Sequence, residues 1–246
     1  MVNREELKNY CNTYLDIYKF KDYCPNGLQI EGSLNITKIV SGVSANLELI
    51  ERAIEEKADA IFVHHGVFWD NESKIISGAK RAKIALLLKH NINLFGFHLP
   101  LDDHYEVGNN VELGRRLGIK NMEPVAGGLL WQGELNTNIS DFSKLIEEKL
   151  DRAPQVFGKQ SGKIKKISWC TGAAQGFIED AINLNVDLYL SGEVSEKTPA
   201  VAKENNITFI SAGHHATERY GVQALCKHLC SQFKLQHHYI EVDNSV

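Results

Sequence analysis

Histidine and carboxylate side chains cluster at three places in the sequence where an apolar run meets Gly or Pro. These places are Val63-His64-His65-Gly66, His98-Leu99-Pro100-Leu101-Asp102 and Gly213-His214-His215-Ala216-Thr217-Glu218. Neutral imidazole and carboxylate together suit borderline divalent cations such as Zn, Mn, Fe or Ni. The three motifs therefore predict a metal site.

The spacing within the motifs is compatible with two metal ions. His214 and Glu218 are four residues apart, so on a helix that begins near Ala216 they share one face and can converge on a point. His64 and His65 are adjacent, and at the end of a strand each could serve a different ion. Two ions about 3.5–4 Å apart activate a bridging water for hydrolysis, and open coordination positions suit catalysis better than a structural role.

Histidine pairs also occur without any metal. The pair His237-His238 lies in a terminal apolar stretch with no acidic motif nearby. A single histidine at the end of a strand usually makes an ordinary hydrogen bond. We therefore assign no metal-binding role to His90, His104, His228 or this pair, and rely on the coincidence of three clusters at corresponding places.

The elements that must position the motifs alternate between short apolar runs and amphipathic stretches, which is the pattern of βαβ units and a largely parallel sheet. Predicted strands cover 39–43, 60–63, 93–97, 127–135, 164–170, 188–190, 207–211 and 236–242. Predicted helices begin near Asn3 and cover 47–57, 79–89, 112–117, 139–150, 176–182, 198–204 and 219–233. All three motifs follow predicted strands, and ligands of open α/β sheets bind at the carboxyl ends of strands.

The strand and helix pattern also repeats within the chain. An offset of 128 residues aligns Asp59 with Asp187 and, without a gap, Lys38 with Lys166. In both halves a later strand leads into His-x-x-x-acid, at 98–102 and at 214–218. The repeat predicts two similar strand–helix–strand units with comparable strand ends.

Length and composition are those of an ordinary soluble protein. The 246 residues are 43% hydrophobic and 24% charged, and the formal net charge is −4, which argues against a protein that mainly binds nucleic acid. There is no apolar run of about 18 residues that could span a membrane. The N-terminus lacks an apolar signal core, so we expect a cytoplasmic protein. We predict two α/β units at 1–123 and 124–246.

The five cysteines are scattered and odd in number, so they predict no disulfide framework. Cys226 and Cys230 lie four residues apart in a predicted helix with His228 between them. A zinc site there stays open as an alternative, but two half-buried helix thiols are the favoured interpretation.

Four strings resemble the signatures of the Nif-three-like family, whose bacterial members are commonly labelled GTP cyclohydrolase I type 2 homologues. They are VHHGVFW (63–69), FHLPLD (97–102), SGEVSEKT (191–198) and GHHATERYGV (213–222), and Asn26-Gly27-Leu28-Gln29 resembles a further stretch. The resemblance covers nearly the whole chain. It implies two similar, intertwined three-layer α/β/α units with mainly parallel sheets, a dinuclear metal site at their junction, and a toroidal homohexamer.

Carried over motif by motif, the resemblance implies five metal ligands, and this sequence departs from the family pattern at none of them. They are His64 and His65 in the first string, Asp102 in the second, and His214 and Glu218 in the last. The implied cofactor is a pair of divalent ions per chain, chosen among Zn, Mn, Fe and Ni.

The sequence leaves two possible roles for each of several residues near these ligands. His98 is either a further ligand or, as we favour, a hydrogen-bond partner of one. His215 could hold the loop or touch substrate. Glu193 and Glu196 could line the cavity or begin a solvated helix.

Three functions are compatible with these features. The first is a metal-dependent hydrolase of a small polar or nucleotide-like substrate. The family label suggests opening of the purine ring of GTP, although the sequence has no Walker-type phosphate loop and nothing in it selects guanine. The second is a non-catalytic metal-binding scaffold or regulatory protein. The third, nucleic-acid binding through the hole of a ring, is disfavoured by the acidic balance.

Overall fold

The computed structural model describes residues 1–125 and 128–246. The strands are β1 (Val2–Asn3), β2 (Gly27–Ile30), β3 (Asn35–Ile36), β4 (Lys38–Ser44), β5 (Ala60–His65), β6 (Asn93–Gly96), β7 (Lys120–Pro124), β8 (Trp131–Asn138), β9 (Gln155–Gly158), β10 (Lys163–Cys170), β11 (Leu188–Ser191), β12 (Thr208–Ser211) and β13 (Gln236–Tyr239). The helices are α1 (Arg4–Tyr14), α2 (Leu47–Glu55), α3 (Gly78–Lys89), α4 (Leu99–Asp103), α5 (Asn109–Arg116), α6 (Ile139–Leu150), α7 (Ile178–Asn183), α8 (Thr198–Glu204) and α9 (His214–Phe233). The predicted strand 127–135 begins at Gly127, which lies outside the described residues.

The chain divides into two compact structural units. The first contains Met1–Gly108 and Gly221–Asp243, and the second contains Asn109–Tyr220 and Asn244–Val246. This division differs from the predicted units 1–123 and 124–246. Helix α5 belongs to the second unit because its apolar side chains pack into the core there, and the stretch that ends in β13 returns to the first because β13 pairs with β4.

The first unit is built on a five-stranded sheet in the order β13-β4-β5-β6-β2, which is parallel except for β2. Successive side chains of a strand point to opposite faces. Phe62 accordingly packs in a buried cluster with Leu7 of α1, whereas its neighbour Ile61 packs in another with Leu49 of α2. Helices thus cover both faces, as three α/β/α layers require.

The second unit contains a six-stranded sheet in the order β7-β8-β10-β11-β12-β9. Strands β10, β11 and β12 are parallel, while β7, β8 and β9 pair antiparallel with their neighbours. This sheet is therefore mixed, whereas mainly parallel sheets were expected. The connection between β7 and β8 is too short for a crossover, and a short connection joins antiparallel strands. On the two faces, Leu188 packs with Phe142 of α6 and Tyr189 packs with Ala181 of α7.

The two parallel cores share one hydrogen-bonding pattern. The Oδ2 atom of Asp59 accepts backbone N–H bonds from Thr37-Lys38 at 2.7 and 2.9 Å, and that of Asp187 accepts them from Lys165-Lys166 at 2.8 and 3.0 Å. Each aspartate directly precedes one parallel strand and binds the neighbouring strand where the parallel pairing begins. The predicted repeat at an offset of 128 residues is therefore confirmed.

Disulfide bonds do not cross-link the described part of the chain. None of the five cysteines, all within the described residues, forms a disulfide. Cys226 is buried, which raises the pKa of its thiol, and His228 shares a 2.6 Å hydrogen bond with the hydroxyl of Tyr10. In the described ranges, no group of three candidate metal ligands includes Cys226 or Cys230.

Within the described part of the chain, no helix has the length and apolar character needed to cross a membrane.

Candidate metal centre

The five predicted ligands lie at or directly after the carboxyl ends of parallel strands. His64 and His65 end β5, and Asp102 lies on α4, which follows β6. His214 begins α9, directly after β12, and Glu218 lies one turn further along that helix. The first unit therefore carries three members of the predicted set and the second unit carries two.

His64 is a buried imidazole whose tautomer is fixed by the backbone. Its Nδ1 lies 2.8 Å from the carbonyl oxygen of Phe97, and because a carbonyl only accepts, Nδ1 carries the proton. The other nitrogen, Nε2, lies 3.5 Å from Oδ1 of Asp102, which is also buried. An imidazole held this way presents a lone pair on Nε2, beside a carboxylate oxygen, which suits a cation.

Two more imidazoles lie against His64. Ring centroids are 4.6 Å apart for His64 and His65, and 5.0 Å apart for His64 and His98. One ligand atom from each of the three lies within 4.8 Å of the other two. The Nδ1 of His65 lies 3.0 Å from the Ser44 hydroxyl oxygen. His98 is therefore close enough to this cluster for either of the two roles that the sequence left open.

Asp22 is a functional candidate that the sequence analysis missed. Its carboxylate accepts hydrogen bonds from His98 Nδ1 at 2.9 Å, from the Asn26 amide at 2.9 Å and from the Leu99 backbone at 3.0 Å. Burial by itself raises the pKa of Asp22, but these hydrogen bonds outweigh it and lower the pKa to about 2. The ionised carboxylate thus orients His98. The nearest sequence signal was the stretch that begins at Asn26.

Gln29 joins two loops next to the histidine cluster of the first unit. Its amide oxygen accepts from the Val67 backbone at 3.0 Å, and its amide nitrogen donates to the Pro25 carbonyl at 2.8 Å. A Cβ atom on Gly66 would lie 2.2 Å from the same amide oxygen. Gln29 thus packs directly against the Gly66 backbone, and a side chain at this position would displace the Gln29 amide.

In the second unit, His214 lies between two carboxylates. Its Nδ1 is 2.6 Å from Oε1 of Glu193, and its Nε2 is 3.0 Å from Oε2 of Glu218. Burial alone lowers the pKa of His214, but the two carboxylates outweigh it and raise the pKa to about 9. Glu193 thus orients a predicted ligand, a role that the sequence analysis did not assign to it.

Gly172 gives Glu218 the room it occupies. Its φ is +67°, and a Cβ atom there would lie 2.0 Å from Oε1 of Glu218 and 3.3 Å from Nε2 of His214. The Gly172 backbone N–H donates to the Thr217 hydroxyl at 3.1 Å. Beside them, the backbone N–H of His215 donates to the Val246 carbonyl at 3.0 Å.

Comparison with known proteins identifies the family. Residues 2–245 match the Duf34/NIF3 (NGG1p interacting factor 3) family. A protein of Allochromatium vinosum named GTP cyclohydrolase 1 type 2 homolog is 48% identical over 248 residues, which cover 99% of this chain and 98% of that protein. A relative of the same name from Pseudomonas aeruginosa is 46% identical over 245 residues, covering 97% and 96%.

Solved structures agree with this assignment. Protein ybgI, described as of unknown function, matches with a TM-score of 0.95 at 40% identity, and 100% of each chain is covered. TTHA1606 from Thermus thermophilus matches with a TM-score of 0.90 at 30% identity, again over 100% of each chain. These likenesses confirm both the resemblance found in the sequence and the α/β fold with two units. The chain therefore belongs to the Duf34/NIF3 family.

Proposed function

We propose that this chain is a metal-dependent hydrolase of a small polar or nucleotide-like substrate. One observation carries the proposal: each unit pairs an oriented imidazole nitrogen with a buried carboxylate oxygen. The pairs are His64 with Asp102 at 3.5 Å, and His214 with Glu218 at 3.0 Å. In the proposed centre these four residues and His65 hold two divalent ions. The names of the relatives from Allochromatium vinosum and Pseudomonas aeruginosa support a hydrolytic reaction on a nucleotide.

The donor set fits such ions. Imidazole nitrogens and carboxylate oxygens are the ligands that Zn, Mn, Fe and Ni accept in proteins. Because Gly172 has no side chain, the Glu218 carboxylate has room beside the Gly172 backbone. When bound, two divalent ions lower the pKa of a water molecule and polarise the bond under attack.

The protein's own groups supply orientation and proton transfer. The Phe97 carbonyl accepts a hydrogen bond from Nδ1 of His64 and so orients that imidazole. The Glu193 carboxylate orients the imidazole of His214 in the same way. Asp102 and Glu218 are buried carboxylates that can accept a proton from the attacking water. A scaffold without turnover, the alternative function, would need the bound ions but not this proton transfer.

Elemental analysis of protein purified without added metal tests the proposal. We expect about two divalent ions per chain, and fewer in His64→Ala and in Glu218→Ala, which should keep the fold as judged by circular dichroism. The exposed His238→Ala is the matched control and should keep the full metal content. The loaded protein should then hydrolyse one of GTP, other nucleotides or simple phosphoesters. Full loading without turnover of any of them would support the non-catalytic scaffold instead.

A further inference from the structure

A half-open cavity of about 500 Å³ lies in the first unit, next to the histidines but outside the set of proposed ligands. Its walls come from the loop that carries Asp22, from Phe68 and Trp69 after β5, and from the segment that leads into α3. Cavities of this size hold small organic ligands. Asp22 belongs to the wall and also accepts a hydrogen bond from His98, so the cavity lies directly beside the histidine cluster.

Trp69 supplies a flat surface at this border. Its ring centroid lies 5.8 Å from that of His65, 5.3 Å from that of His98 and 6.1 Å from that of Tyr23. The Trp69 side chain is half-buried, whereas the other two tryptophans of the chain, Trp131 and Trp169, are buried. A partly exposed indole in a cavity wall is a platform on which a planar ring can stack.

The charges of the cavity largely cancel. Glu72 pairs with Lys80 at 3.1 Å, and the oxygens of Asp22 accept four hydrogen bonds from protein groups. The remaining charged residues of the wall, Asp70 and Lys74, are exposed and of opposite sign. A phosphate group therefore gains little net electrostatic attraction in this cavity. The carboxylate of Asp70, in contrast, can accept hydrogen bonds from amino and ring N–H groups of a ligand.

We propose that this cavity binds the uncharged, amino-bearing nitrogen heterocycle of the substrate, stacked on Trp69 with its donor edge toward Asp70. The inference rests on the proposed function, because it names the part of the substrate that lies beside the ions. It places the ring, and not the phosphates, in the cavity of the first unit.

Tryptophan fluorescence tests the proposal without relying on turnover. Guanosine should quench the emission of Trp69 saturably, whereas ribose 5-phosphate, which lacks the ring, should not. By calorimetry, Trp69→Leu should weaken guanosine binding about tenfold or more, and Trp69→Phe should keep most of the affinity because it keeps a flat ring. Inosine, which lacks the amino group, should bind more weakly than guanosine, and Asp70→Ala, which removes the acceptor, should abolish that preference.

The His64→Ala variant separates this inference from the proposed function. It should lose metal yet still bind guanosine with quenching of Trp69. Guanosine binding without hydrolysis of any nucleotide would defeat the proposed function and leave the ring site standing. Ribose 5-phosphate that binds as well as guanosine, or guanosine affinity unchanged in Trp69→Leu and Asp70→Ala, would overturn the ring site even in an active enzyme.

Discussion

Three imidazoles at the candidate site share one arrangement, in which Nδ1 is held by an acceptor of the protein. For His64 the acceptor is a backbone carbonyl, for His98 it is Asp22, and for His214 it is Glu193. A ring held by Nδ1 presents Nε2 in one direction, so less freedom is lost when an ion binds. The orientation of the proposed ligands His64 and His214 is thus set by groups outside the proposed ligand set.

Glu193→Ala tests this arrangement in the second unit. Removing the carboxylate releases Nδ1 of His214, and losses of this kind weaken metal binding by about 10- to 100-fold. Competition with a chromogenic chelator measures the affinity. Glu196→Ala is the matched control, because Glu196 is an exposed glutamate three residues further along the chain. Equal affinities in the two variants would contradict the role of Glu193.

Gly172→Ala tests the space around Glu218. The new methyl group would collide with Oε1 of Glu218, so we expect a displaced carboxylate and a loss of metal from the second unit. Gly118→Ala is the control: its φ is +69°, but no atom lies within 4 Å of the added Cβ. Both variants should lose about 1 kcal/mol of unfolding free energy from the backbone strain.

Metal content measured on the two glycine variants side by side separates strain from collision. If Gly118→Ala lost as much metal as Gly172→Ala, the backbone strain and not the contact with Glu218 would be responsible.

At the scale of elements, β13 carries a histidine that makes the stability of the first unit depend on pH. The Nε2 of His237 lies 2.7 Å from the hydroxyl of Ser41 on the paired strand β4. Burial lowers the pKa of His237 from 6.5 to about 4, with smaller contributions from Lys227 and His238. The folded state therefore favours neutral His237.

The unfolding free energy should fall as pH decreases from 6.5 to 4, because the unfolded chain then binds a proton that folded His237 refuses. Above pH 6.5 this residue makes no difference. Urea unfolding at pH 7 and pH 5 measures the effect, and His237→Gln should reduce the difference. His238→Gln, on the exposed side of the same strand, should reduce it much less, because His238 makes only a small contribution to the lowered pKa of His237. A reduction of equal size in both variants would argue against His237.

At the scale of the whole molecule, we propose assembly into a toroidal homohexamer, as the resemblance to the family implies. A closed ring uses every interface, so its mass should not change with dilution, whereas an open chain of subunits would shorten. Light scattering coupled to size exclusion should give six times the chain mass of 27.6 kDa at each concentration tested. A mass that corresponds to a monomer or dimer would contradict the proposal.

The local order of the fold could be read from the sequence. The alternation of apolar runs located the strands of both parallel cores, and the offset of 128 residues related Asp59 to Asp187, because a repeated βαβ unit repeats its pattern. Helix α9 begins at His214, earlier than either start considered from the sequence, near Ala216 or at 219. Gly213, with a φ of +97°, lets the chain turn straight from β12 into the helix.

The amino-acid sequence by itself determined which strand ends carry histidine and carboxylate, since residue type and hydrophobic period are local properties. Tertiary structure alone decided which groups hold those side chains: Asp22 lies 76 positions from His98, and Glu193 lies 21 positions from His214. It also decided that Gly172 packs under Glu218 and that the second sheet is mixed. Such contacts depend on how distant segments pack, and no periodicity along the chain records them.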